Sequence, residues 1–397
     1  MSNISAIDGS QKSMPPSFIP LSVPEVRGCE WKYIKECLDT NWVSSVGAFV
    51  DRFERDLASF VGARHAVACT SGTAALHVSL LVAGVRPDDE VLVSDLTFIA
   101  PANAVRYCGA WPIFIDAEPD YWQMDVRKVE EFLIHGCRVD GKELRNRKTG
   151  RRVSAILPVH ALGHPVDMDP LMELARRFGL VVLEDATESI GAKYKGVPTG
   201  HLGHIACFSF NGNKIMTTGG GGMMVTDNEA WAKKVRYLTT QAKDDPVEYV
   251  HDEIGFNYRL TNIQAAMGCA QLEQLPKFIE KKRAIARRYA AAFDGVAGIE
   301  CMRQAPWAES IWWMYTIIVD EQLFGMSSRA LLKRLEECRI QSRPLWQPLH
   351  KNRPYLGAAG EFPVAEALCR NALSLPCSVG LTEADQDRVI RCVLGKS

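Results

Sequence analysis

Two periods alternate along this chain. Short, nearly continuous apolar runs of about five residues suit strands buried on both faces. The longer stretches between them, apolar at every third or fourth position, suit amphipathic helices. The spacing predicts helices over 27–39, with Trp31, Ile34 and Leu38 on one face, and over 49–60, where Phe49, Phe53, Leu57 and Phe60 recur about once per turn. A strand at 66–69 then runs into Ser71-Gly72-Thr73 and a helix through Leu76 and Leu80. Strands at 90–94, 112–116, 153–159 and 180–183 alternate with helices at 101–108, 126–134 and 171–178, interrupted only by a basic, glycine-punctuated run at 138–152. Such alternation predicts an α/β protein with a mostly parallel central sheet covered by helices on both faces, and ligands at the carboxyl ends of its strands. Past Trp231 the pattern changes to helices at 262–275 and 277–293, a strand at 311–319, an amphipathic helix at 328–338 opened by a capping serine, and a closing helix at 381–393 opened by Thr382. The expected organisation is a flexible N-terminal segment 1–18, a large domain 19–275 and a smaller C-terminal α+β domain 276–397.

Composition narrows this picture. The 397 residues are 47% hydrophobic and carry a formal charge of −1, which suits a large core and small-molecule or protein partners, not nucleic acid or an anionic membrane. The polar N-terminus lacks the apolar centre of a signal peptide and no apolar run is long enough to cross a bilayer, so a cytoplasmic location is expected. The twelve cysteines show no Cys-x-x-Cys spacing and read as reduced, mostly buried thiols.

Candidate chemistry gathers at 207–222, where an apolar run passes through Ser209, Asn211 and Asn213 to Lys214 and then to four glycines. A partly desolvated lysine held on a turn, apart from carboxylates, can join an aldehyde, and pyridoxal phosphate is the natural aldehyde for that purpose. Three other features suit that cofactor. Ser71-Gly72-Thr73 opens a helix and offers backbone N–H groups to a phosphate, or else merely caps the helix. Asp185 ends an apolar strand, where it can pair with a pyridine nitrogen or serve in a structural ion pair. Phe98 follows the 90–94 strand and can stack on a cofactor ring or fill core. His160, His164, His201 and His204 lie near zinc-ligand spacing but among glycines and prolines; no metal is expected, and His160, just past a strand, is a candidate substrate contact. The basic run 138–152 reads as a solvated hairpin.

The order of these motifs resembles the pyridoxal-phosphate-dependent nucleotide-sugar aminotransferases of the DegT/StrS group, over nearly the whole chain after Ile19. The likeness rests on Ser71-Gly72-Thr73-Ala74-Ala75-Leu76, Leu96-Thr97-Phe98, Pro158-Val159-His160, Glu184-Asp185-Ala186-Thr187-Glu188, Phe208-Ser209-Phe210 with Lys214, the glycines 219–222, residues 255–261 and Leu373-Ser374-Leu375-Pro376. It implies an aspartate-aminotransferase-like (fold type I) structure and a homodimer with shared active sites. By position, Lys214 would be the Schiff-base lysine, Asp185 the pyridinium partner, Glu188 the neighbour of the ring hydroxyl and Phe98 the stacking ring. Gly72, Thr73 and Ser209 would cradle the phosphate, and Asn257 would reach it from the other subunit. Ser44, Ser45, Arg259 and His350 would join His160 in contacting substrate.

The implied reaction moves the amino group of L-glutamate to the C4 keto group of a nucleotide-linked 4-keto-6-deoxy sugar for surface polysaccharide. Residues 158–169 resemble members acting on UDP-linked N-acetylated sugars, whereas 41–47 are equally compatible with GDP-linked perosamine-forming relatives; the UDP reading is preferred on this basis. Sugar dehydration or deoxygenation on the same cofactor is the alternative chemistry, and a non-catalytic sugar-nucleotide sensor the alternative class. A lysine, not a histidine, at 214 argues against dehydration, and Lys214 with Asp185 argues against a sensor.

Overall fold

The computed structural model describes residues 17–245 and 247–396; the expected N-terminal segment, but for Ser17 and Phe18, lies outside them. Its strands are, in order, β1 (His65–Cys69), β2 (Glu90–Ser94), β3 (Trp111–Ile115), β4 (Cys137–Asp140), β5 (Glu143–Asn146), β6 (Arg152–Leu157), β7 (Val181–Asp185), β8 (Lys193–Tyr194) and β9 (Val197–Pro198). They continue with β10 (Ile205–Ser209), β11 (Gly222–Thr226), β12 (Ile299–Cys301), β13 (Ala308–Glu309), β14 (Tyr315–Val319), β15 (Arg343–Pro344) and β16 (Ala372–Leu375).

The large sheet runs β1-β11-β10-β7-β6-β2-β3. From β10 through β3 every pairing is parallel, and β11 alone on this path runs against both neighbours. Side chains leave it alternately for two separate apolar clusters. Val91, Val93, Leu157 and Leu183 enter one, while Leu92, Ile156 and Val182 enter the other. A strand that must satisfy both clusters has no polar face, which is why these segments read as unbroken apolar runs.

The basic insertion forms the β4–β5 hairpin on the edge of β6. Arg138, Lys142, Arg147 and Lys148 are exposed, as expected of a solvated hairpin. Among the described residues no helix is long and apolar enough to cross a membrane.

Two expectations about the C-terminal third change. The helices expected at 262–275 and 277–293 are one helix, Asn262–Phe293, with Pro276 inside it. Its start is secured by a capping box in which Thr261 and Gln264 satisfy each other's end of the first turn. Gln271, Leu272, Leu275, Phe278 and Ile279 are buried on both sides of the proline, so packing holds the axis through a residue that cannot donate a backbone bond. The expected division near 275 therefore falls inside a continuous helix, and one apolar cluster extends from the large sheet to Ile317 and Leu331 of the C-terminal part. That part is an antiparallel sheet, β12-β14-β16-β15, with the helices Ser328–Glu337 and Glu383–Leu394.

The second change concerns the strand expected at 311–319, which begins only at Tyr315. Residues 311–314 run irregularly, with Trp312 at a left-handed φ of 53°. This bend determines where Trp313 lies.

Candidate active site

At the carboxyl ends of β1, β7 and β10 the chain encloses a cavity of about 340 Å³. Its floor and walls include Gly72, Thr73, Phe98, Asp185, Glu188, Ser209 and Lys214, residues far apart in sequence that the parallel sheet brings to one edge.

Each is placed by a local cause. Ser71 caps the helix Gly72–Val82 by accepting the Ala74 N–H at 3.0 Å, leaving the following backbone at the cavity. Residue 72 has to be glycine, because a Cβ there would lie 2.8 Å from Cβ of Ser209. That close approach is what puts Ser209 beside the helix start. Asp185, at the end of β7, is 2% exposed and accepts the Thr187 N–H at 3.1 Å. Burial pushes its carboxyl above the usual range, against the opposing pull of Thr187 and Lys214. Glu188 accepts the Leu162 N–H at 3.0 Å. Burial raises its carboxyl as well, while Lys214 draws it down.

Lys214 sits on a turn closed by its own N–H donating to the Asn211 carbonyl at 3.0 Å. The expectation that its amine is kept apart from carboxylates does not hold, since Nζ is 3.4 Å from Oε1 of Glu188. Phe98 presents a ring that is 57% exposed at the cavity. Trp313 and Trp346 complete the wall. Sequence reasoning missed both; the pairing of Trp312 with Trp313 was the available signal, hidden by reading 311–319 as strand core.

The remaining candidates lie elsewhere. His160 is fully buried away from the cavity: Nδ1 accepts the Val166 N–H at 3.1 Å, which puts the ring proton on Nε2, 3.0 Å from Glu184. Burial alone would raise the Glu184 carboxyl, but His160 and the N–H groups of Gly203 and Gly200 hold it below the usual range. His160 therefore has no ring nitrogen left for a substrate. His164 is buried likewise between the Pro165 carbonyl and the Ala305 N–H, and burial pushes its pKa down to about 4. Among the described residues no group of three or more His, Cys, Asp or Glu is arranged to hold a metal.

Arg259 is committed to Glu54 at 2.6 Å and to the Ala68 carbonyl. His350 bridges Asp95 at 2.7 Å and Glu366 at 3.2 Å. Ser44 is exposed and gives only its carbonyl, to the Asn262 N–H at 2.6 Å; Ser45 is half-buried. Neither serine lines the cavity, and the exposed Asn257 does not line it either.

The cavity suits pyridoxal phosphate on its own evidence. Asp185 is a buried carboxyl that, among the described residues, is hydrogen-bonded by Thr187 and by no cationic side chain, so a charged ring nitrogen would supply a partner. A helix start and a close-packed glycine face the place a phosphate needs, and an open aromatic ring faces the place of a cofactor ring.

Comparisons with known proteins lead to the same cofactor. Residues 24–394 match the model of the DegT/DnrJ/EryC1/StrS aminotransferase family. The chain is 41% identical over 374 residues to GDP-perosamine synthase of Caulobacter vibrioides, covering 94% of this chain and 96% of that one. It is 37% identical over 359 residues to GDP-perosamine synthase of Escherichia coli O157:H7, covering 90% and 93%. Among solved structures, a DegT DnrJ EryC1 StrS aminotransferase from Brucella abortus superposes with a TM-score of 0.83 at 31% identity, covering 92% of this chain and 94% of that one. The chain belongs to the DegT/DnrJ/EryC1/StrS aminotransferase family, and its cofactor is pyridoxal phosphate.

Proposed function

We propose that the protein transfers the amino group of L-glutamate to the C4 keto group of a nucleotide-linked 4-keto-6-deoxy sugar, with GDP as the nucleotide, in surface polysaccharide synthesis. The observation that carries the reading is the convergence of Lys214, Asp185, Glu188 and Phe98 on one cavity beside the Gly72–Ser209 contact. When bound, the cofactor supplies an electron sink for the negative charge left on the donor's Cα.

The chain's own groups do the rest. Lys214 tethers the cofactor through Nζ, and that nitrogen, once free, takes the proton from the donor's Cα and returns a proton at C4 of the sugar. Asp185 would keep the ring nitrogen charged. Glu188 would neighbour the ring hydroxyl, Phe98 would stack on the ring, and Gly72, Thr73 and Ser209 would hold the phosphate. The active unit is a homodimer in which Asn257 of one protomer completes the phosphate site of its partner.

The choice of nucleotide rests on the two relatives named GDP-perosamine synthases. The segment 158–169, which weighed toward UDP, gives the cavity no lining side chain and touches it through the Leu162 N–H, which donates to Glu188 at 3.0 Å. Incubation with glutamate and a panel of GDP-, UDP- and dTDP-linked 4-keto-6-deoxy sugars, followed through 2-oxoglutarate, is expected to favour the GDP sugar. Faster turnover of a UDP sugar would reverse the nucleotide assignment, and no turnover of any would remove the reaction.

A further inference from the structure

Lys214 Nζ lies 4.1 Å from the ring centroid of Trp313 as well as 3.4 Å from Oε1 of Glu188. The indole does not come from the lysine's own sheet. It belongs to the irregular residues ahead of β14, in the C-terminal part of the chain. Its place is fixed at both ends. Nε1 donates at 2.9 Å to the carbonyl of Asn213, the residue next to Lys214, and its own carbonyl accepts from Lys282 Nζ at 2.7 Å. Lys282 is 2% exposed, and its other contact is Cys377 Sγ at 3.4 Å. Among the described residues no carboxylate pairs with its amine, whose hydrogen bond secures the backbone of Trp313. Trp346 lies nearly parallel to Trp313, with ring centroids 6.5 Å apart.

We propose that Trp313 is a positioning residue for the Lys214 amine. Whenever the lysine is not joined to the cofactor, the indole face limits where Nζ can go: it packs against the neutral amine that takes the proton and attracts the ammonium form that returns it. A lysine stem has four rotatable bonds and would otherwise spread over many rotamers. Glu188 anchors the charge from one direction only; the indole closes off a second. Because Asn213 and Lys214 are adjacent, the hydrogen bond from Trp313 to Asn213 ties ring and amine to the same turn. The small sheet thereby sets the reach of a lysine that the large sheet carries.

The inference rests on Lys214 being the tethering lysine. Borohydride fixation followed by peptide mass spectrometry tests that separately, without reference to Trp313. The inference itself is tested with holoenzyme carrying lysine labelled with carbon-13 at Cε and treated with excess glutamate, so that the Lys214 amine is released. The Lys214 signal is assigned by its absence from Lys214→Arg loaded with pyridoxamine phosphate. The expected result is an upfield ring-current shift of the Lys214 ε-methylene protons, lost in Trp313→Leu and largely kept in Trp313→Phe. In parallel, kcat of Trp313→Leu for the glutamate half-reaction should fall about tenfold with KM for glutamate unchanged, and Trp313→Phe should restore most of the rate. A Lys214 signal at the same position in parent and Trp313→Leu, or a Trp313→Leu enzyme with the parent kcat, overturns the proposal. A kcat loss that Trp313→Phe fails to restore overturns it too, since an aromatic face would then not be what the amine requires.

Discussion

In the role proposed for it, Asp185 would serve the reaction at the expense of the fold. Its carboxyl is raised because burial disfavours the charged form more than Thr187 and Lys214 support it. A carboxyl that binds its proton more tightly when folded makes stability fall as pH climbs from the free-carboxylate range near 4 through the raised value. Asp185→Asn keeps an oxygen for the Thr187 N–H and removes the buried charge. The cofactor-free variant is therefore expected to melt a few degrees above the parent at pH 7, with the gain shrinking toward pH 4. Turnover should drop by about a hundredfold or more, because the ring nitrogen loses its charged partner. Calorimetry across that pH range, beside a rate assay, checks both halves; equal melting temperatures at pH 7 would mean that the carboxylate costs the fold nothing. The placement of Asp185 and Lys214 at the cavity was legible in the sequence because Asp185 ends an apolar strand and Lys214 sits on the turn that follows another, where parallel strands present ligands. His160 looked equivalent by that logic and is not, since its ring is consumed by Val166 and Glu184, partners that no spacing rule reveals.

Among the elements, the helix Asn262–Phe293 shows where local rules yield to packing. Pro276 predicts a break, and the local argument is sound: the ring removes one backbone bond and crowds the preceding turn. The helix runs on because Leu272, Leu275, Phe278 and Ile279 must all reach the core, a requirement the local sequence does not display. Pro276 itself is exposed. Pro276→Ala restores the missing bond with no core contact to disturb, so a gain of about 2 kcal/mol is expected, reduced somewhat by the freer unfolded chain. Denaturant titration should show a higher midpoint with unchanged slope, and the rate with glutamate should equal the parent's. A destabilised variant would show that the proline is built into the packing. The reversed direction of β11 was equally unreadable, because Met223, Met224 and Val225 are buried whichever way the strand runs. Strand order and direction depend on contacts across the sheet, whereas the existence of each strand depends on its own apolar run.

At the scale of the whole molecule, the chain's own cavity gathers every proposed cofactor contact except Asn257. That residue is exposed, on a stretch that also leaves Val247 76%, Tyr249 69% and Ile254 87% exposed. Apolar side chains this open suit a surface that another protomer covers, and a two-fold assembly would bring the same stretch of each copy to its partner. Two variants make the idea testable. Lys214→Ala lacks the tethering amine but keeps a sound Asn257, while Asn257→Ala keeps the amine and lacks the donated amide. At limiting cofactor each alone should be nearly inactive. After subunit exchange in an equal mixture, half the dimers are mixed and each holds one intact site, so activity should rise to about a quarter of the parent's. If Asn257 serves only its own protomer, the mixed dimers contain no intact site, and the mixture will show nothing beyond the average of the two variants.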